Sequence, residues 1–75
     1  MEVNIFKSMS NPSKCLVLPV DVDVDDSQLA IEDKDYEQVY FLRTRTLKIG
    51  NDNVSFDPAS AISAIENQGF YLFQL

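Results

Sequence analysis

Asp57-Pro58-Ala59-Ser60-Ala61-Ile62-Ser63-Ala64-Ile65-Glu66-Asn67-Gln68-Gly69-Phe70-Tyr71-Leu72-Phe73-Gln74-Leu75 is the stretch that decides the fold. Asp57 carries oxygens that can accept from the open backbone donors of a first helical turn. Pro58, next to it, lacks an N–H that would have had no partner there. Ala61, Ile62 and Ile65 recur at spacings that place them on one helical face. Gly69 supplies the left-handed residue that ends the helix near Gln68. The run Phe70 to Leu75 is apolar on both parities, which predicts a closing strand in the middle of a sheet. A helix over 58–68 feeding directly into a strand makes this an α/β (α+β) chain.

Working back toward the N-terminus, Val3 to Lys7 alternates as a first strand, and Ser8-Met9-Ser10-Asn11-Pro12-Ser13 is turn-rich. Lys14 to Leu18 reads as a strand covered on both faces, weakening at Pro19, which has no donor for a ladder. Val20, Val22 and Val24 alternate with Asp21, Asp23 and Asp25, the period of an edge or extended segment with one solvated side. Asp26 and Ser27 are N-cap candidates for a short helical element over Asp26–Ile31, and the stretch reads as a helical turn or an irregular loop. Val39-Tyr40-Phe41-Leu42 predicts a strand buried on both faces, continuing through Thr44 to Ile49. Gly50-Asn51-Asp52-Asn53 is a turn signal, with Val54-Ser55-Phe56 as the return arm of a hairpin. The expectation is one domain over residues 1–75: a four- or five-stranded sheet with one well-defined C-terminal helix on one face.

Composition removes whole classes of function. The chain has 75 residues, no His, no Trp, two Gly and one Cys. Imidazole acid–base chemistry, His-ligated zinc, glycine-rich phosphate loops and disulfide scaffolds are excluded together. Cys15 lies in an apolar run, where a buried, inert thiol is expected, and a lone cysteine fits a reducing compartment. The N-terminus has no basic region followed by a long apolar one, so no signal peptide is read. The run Cys15–Val20 falls far short of the ~20 residues a bilayer span requires. These features lead to a soluble, cytoplasmic protein as the expectation.

The net charge of −6 is concentrated in one window. Asp21, Asp23, Asp25, Asp26, Glu32, Asp33, Asp35 and Glu37 face only Lys34, a local net of −7. Nucleic acid would be repelled there, and the aromatics lack the interleaved cations of an RNA-binding sheet. Asp21-x-Asp23-x-Asp25-Asp26-x5-Glu32 has the carboxylate spacing of a calcium loop. Asp26 stands where that loop needs Gly, Gln28 where an apolar residue packs, and no helix can enter through Cys15–Pro19. No metal or other cofactor is therefore assigned. Arg43 and Arg45, two apart, share a strand face and could clamp an anion, or simply face the acidic window or solvent. A Cys or Ser nucleophile would need Lys or a carboxylate as its base, and 75 residues offer little wall for a sugar cleft between paired carboxylates. No enzyme is expected.

Two segments carry a family resemblance. Ile5-Phe6-Lys7-Ser8 resembles the opening strand of the YcgL-like family of small bacterial proteins, with Cys15-Leu16-Val17-Leu18 in the place of its second strand. Asp57 to Leu72, above all Asn67-Gln68-Gly69-Phe70-Tyr71-Leu72, resembles that family's closing helix and strand. The middle departs from the pattern, with no Phe-Gly-x-Pro-like element between Leu29 and Val39. The resemblance implies a small α/β fold with no established enzymatic activity, and it transfers no functional residues.

The function expected from these readings is a small regulatory or adaptor protein that binds another protein without catalysis. The partner's identity and the oligomeric state are not readable. The alternative is an acidic inhibitor, of phage or mobile-element type, that occupies a basic nucleic-acid-binding site on its target. Carboxylates two apart on a strand would repeat about every 6.6 Å. The candidate interaction surface is Asp21, Asp23, Asp25, Asp26, Glu32, Asp33 and Asp35.

Overall fold

The computed structural model describes residues 1–23, 31–48 and 56–75. Four strands, β1 (Glu2–Ser8), β2 (Lys14–Pro19), β3 (Val39–Thr46) and β4 (Tyr71–Gln74), form one antiparallel sheet in the order β3-β1-β2-β4. The helix α1 (Pro58–Gln68) lies against β4 and β2. This is the α+β domain expected from the sequence, with four strands among the described residues.

β2 is the centre of the molecule. Cys15, Leu16, Val17 and Leu18 are all essentially inaccessible, and alternation sends them to two separate cores. Val17 joins Val3, Ile5, Leu47, Ala61 and Ile65 on the helix side. Leu16 and Leu18 join Phe6 and Phe70 on the opposite side, where Val22, Ile31, Tyr36, Val39 and Leu72 pack around them. Among the described residues, Val22, Ile31 and Tyr36 from between β2 and β3 thus help to cover the second face.

The helix starts and stops where its end signals place it. The Asp57 carboxylate accepts from the Ala59 N–H at 3.2 Å and from the Ser60 hydroxyl at 2.8 Å. Pro58, Ala61 and Ile65 form the buried stripe. Gly69 sits at φ 91°, and its N–H donates to the Ile65 carbonyl at 2.9 Å. At the far end of the sheet the Leu47 N–H donates to the Met1 carbonyl (2.7 Å) and the terminal ammonium donates to the Leu47 carbonyl (3.1 Å).

Three expectations are corrected. The closing strand is not central: β4 is an edge strand, paired with β2 alone among the described residues. It is apolar on both parities because Tyr71 and Phe73 pack under the helix while Leu72 packs on the other face. Burial of two faces says nothing about neighbours in the hydrogen-bonding direction. β3 is the opposite edge, and Tyr40 and Phe41, expected inside, are 44% and 55% exposed. Residues 20–23 form a turn, not an edge strand, because Pro19 ends the ladder and the Val22 N–H closes back on the Pro19 carbonyl at 3.1 Å. Ile31 lies in irregular chain, the second of the two readings given for its segment. The rest of the predicted helical element, Val24, and the Gly50–Asn53 turn with Val54 lie outside the described residues.

The pairing of β3 with β1 contains a β-bulge. Ile5 stands opposite Arg43 and Phe6 opposite Phe41, which makes Leu42 an extra residue. One inserted residue changes which side chains share a face. Tyr40, Arg43 and Arg45 stand opposite Lys7, Ile5 and Val3 and share the helix-side face of the sheet, whereas Phe41 stands opposite Phe6 on the other face.

Candidate functional site

The seven carboxylates proposed as one surface divide into groups with different roles. Lys14, at the start of β2, places its Nζ 2.5 Å from Asp33 Oδ2 and 2.9 Å from Asp35 Oδ2. Asp33 also caps the short 3-10 turn Lys34–Tyr36 by accepting from the Asp35 N–H at 3.0 Å. Asp35 accepts from the Ser10 hydroxyl at 2.9 Å, and its backbone carbonyl accepts from the hydroxyl of Ser8, which is fully buried. Ser8 Oγ in turn accepts from the Asn11 N–H at 3.0 Å. Asp33 and Asp35 therefore fasten the crossing chain to the β1–β2 turn.

The protonation behaviour of this cluster follows from those bonds. The hydrogen bonds that the Lys14 ammonium donates to Asp33 and Asp35 hold it well above its ordinary range. Hydrogen bonding to Lys14 lowers both carboxylates, with further help from the Asp35 N–H for Asp33 and from Ser10 for Asp35. Cys15 is buried beside Lys14 in sequence, but its side chain turns inward, and desolvation pushes its thiol up. That is the environment of an inert structural cysteine.

Asp21 and Asp23 are exposed and lie elsewhere. With Val20 and Val22 they form one wall of an open groove of about 360 Å³, whose remaining lining is Asn4, Phe6 and Phe41. The Val20 N–H donates to the Glu2 carbonyl at 3.2 Å, which fixes this wall beside β1. Phe6 and Phe41 meet edge to face, with ring centroids 6.0 Å apart and planes at 76°. Thr44 donates its hydroxyl to Asn4 Oδ1 at 2.7 Å along the same face. The groove thus joins an aromatic corner to a carboxylate rim.

Glu32 is exposed and is not part of the groove lining. Asp25 and Asp26 lie outside the described residues. Among the described residues no cluster of three or more His, Cys, Asp or Glu side chains could hold a metal ion, and no helix is long and apolar enough to cross a membrane. Both ion pairs seen among the described residues belong to Lys14. Arg43 and Arg45 share a face, as their spacing predicts, but that face is the one turned away from Asp21 and Asp23.

The sequence reading missed Phe6, Phe41 and Lys14. Phe41 was hidden because an apolar run carries no mark of a bulge. Lys14 was hidden because its partners stand 19 and 21 positions away, at Asp33 and Asp35. The usable signal was the pair of acids two apart, able to hold one lysine between them. Comparison of the chain with protein-family models, curated proteins and solved structures finds no match, so the functional reading rests on the residues of the groove themselves.

Proposed function

We propose that this chain is a small, non-enzymatic regulatory or adaptor module that acts by binding another protein in the cytoplasm. The observation that carries the reading is the exposed Phe41 ring standing over a groove rimmed by Asp21 and Asp23. Aromatic residues held on a strand offer contact area at small entropic cost, and such anchors dominate interface energetics. The lone, inaccessible Cys15 fits the reducing compartment of the same reading.

The alternative, an acidic inhibitor seated in a nucleic-acid-binding site, draws on the same carboxylates and the net of −7 over residues 21–37. Salt separates the two. A charge mimic associates fast at low salt and weakens steeply between about 50 and 200 mM salt. An adaptor anchored by Phe41 changes little over that range. The experiment captures partners from host cells with the wild-type chain. It then measures the affinity of Phe41→Ala and of Asp21→Asn/Asp23→Asn for the captured protein at both salt concentrations. Loss with Phe41→Ala at either salt supports the adaptor. Loss confined to the Asn variant and to low salt supports the inhibitor.

A further inference from the structure

We infer that Tyr40, Arg43 and Arg45 of β3, with Lys7 of β1, form a second contact strip that receives an extended acidic segment of a partner protein. The inference goes beyond the reading above, because the strip lies on the helix-side face of the sheet and the Phe41 groove on the other. Strict alternation along β3 would send Tyr40 to one face and both arginines to the opposite one. The bulge at Leu42 cancels that change of parity. Tyr40 stands opposite Lys7, Arg43 opposite Ile5 and Arg45 opposite Val3, all on one face. Bulges re-aim side chains in this way beside functional sites. Tyr40 is 44% exposed, Arg43 and Arg45 are exposed, and Lys7 is half-buried. One surface therefore carries three cations and a phenol.

The chemistry of the strip selects its occupant. Residues two apart on a strand stand about 6.6 Å from one another, so alternate carboxylates of an extended peptide match the spacing of the two arginines. Each guanidinium offers a planar fork to one carboxylate, and the Tyr40 hydroxyl is a further donor. Both ion pairs among the described residues belong to Lys14, so neither arginine is paired there. A second copy of the chain is a poor occupant. Among the described residues, every pair of acids spaced two apart has a member already engaged, Asp33 and Asp35 by Lys14 and Asp23 by an interaction of its own. A nucleic-acid duplex or an anionic bilayer carries charge far beyond four side chains and would meet the net of −7 over residues 21–37. A short acidic segment of a protein meets the strip alone.

The test is an NMR titration of the isotope-labelled chain at about 20 mM salt, where surface charges are weakly screened. The probes are N-acetylated, C-amidated Thr-Asp-Thr-Asp-Thr and its neutral counterpart, Thr-Asn-Thr-Asn-Thr. The expected result is shifts centred on Lys7, Tyr40, Arg43 and Arg45. The Asn peptide, and the Arg43→Gln/Arg45→Gln variant with the Asp peptide, are each expected to bind about tenfold more weakly. Lys34→Gln, which removes an exposed cation outside the strip, should bind like wild type. Equal binding of the two peptides overturns the inference, as do shifts centred elsewhere or none at saturating peptide. A loss in Lys34→Gln as large as in the arginine variant also overturns it, since attraction is then general to the chain. Tighter binding of a short DNA duplex or of phosphatidylserine vesicles on the same residues does so too, as does self-association abolished by Arg43→Gln/Arg45→Gln. Failure of the peptide with partner capture still dependent on Phe41 removes the strip and leaves the groove.

Discussion

β2 and β3 look alike as sequence and behave as opposites in the fold. Cys15-Leu16-Val17-Leu18 and Val39-Tyr40-Phe41-Leu42 are both four-residue apolar runs. The first lies between β1 and β4, and its four side chains are 0–1% exposed. The second lies at the sheet edge, where Tyr40 and Phe41 are 44% and 55% exposed and only Val39 and Leu42 are partly covered. The difference is lateral. β2 has strands on both sides and cover on both faces, while β3, among the described residues, has β1 on one side and packs into the cores through Val39 and Leu42. A hydrophobic run that ends up at an edge stays partly exposed, and here it carries the aromatic wall of the groove.

The strongest way to test this contrast is to truncate the centre. Leu16 is 1% exposed and meets Phe6, Leu18 and Phe70. Leu16→Ala is expected to cost about 2–5 kcal/mol, from lost transfer energy plus the cavity left behind. A domain of this length holds roughly 4–11 kcal/mol in total. The variant should therefore unfold at much lower denaturant concentration, or fail to fold, as urea titration followed by circular dichroism will show. A midpoint close to wild type would mean that β2 is not the core strand.

A smaller effect is expected at the junction between β2 and the acidic segment. Lys14→Met removes the cation that Asp33 and Asp35 share and leaves two neighbouring carboxylates without compensation. The melting temperature at neutral pH should fall, by less than for Leu16→Ala. Because the folded-state values of Asp33 and Asp35 are lowered, their stabilisation is fully present above the ordinary aspartate value of about 3.9 and is lost as pH falls through the lowered values. Because the Lys14 value is raised, its contribution is present below the ordinary lysine value and is lost only as pH rises through the raised one. The gap between wild type and Lys14→Met should thus stay level from about pH 4 to 10 and close in acid. Melting curves at a series of pH values measure it. A gap that persists unchanged in acid would assign the loss to packing of the lysine stem instead of its charge.

The same contrast explains what could and could not be read in advance. The helix was legible to the residue because its signals are local: Asp57 and Pro58 at the start, Gly69 at the end, and Ala61 and Ile65 on one face. β2 was legible as a strand covered on both faces because Leu16, Val17 and Leu18 leave no polar face. The edge positions of β3 and β4 were not legible, because side-chain pattern reports the faces of a sheet and not its lateral neighbours. The site was half legible. The acidic window stood out as composition, but composition could not separate Asp33 and Asp35, which hold the fold, from Asp21 and Asp23, which rim the groove. That separation depends on Lys14 reaching across long sequence distance, and Phe41 joins the rim only through the bulge at Leu42.

The smallest expected effect on stability tests the contrast from its other end. Phe41→Ala removes a half-exposed ring whose one aromatic neighbour among the described residues is Phe6, at 6.0 Å in an edge-to-face contact. Such a contact contributes about 1 kcal/mol or less, and the rest of the ring already faces water. The variant should melt close to wild type and keep a native-like NMR spectrum, with changes limited to Phe6 and the groove. Its capture of the partner should nevertheless be lost. Leu16→Ala loses binding only by losing the fold, so the two variants separate a residue kept for packing from one kept for contact. If Phe41→Ala instead unfolds the domain, β3 belongs to the core and the groove is a seam in it. If Phe41→Ala is stable and still binds, the exposed ring is not the anchor, and the contact surface lies on the other face of β3, beside Tyr40, Arg43 and Arg45.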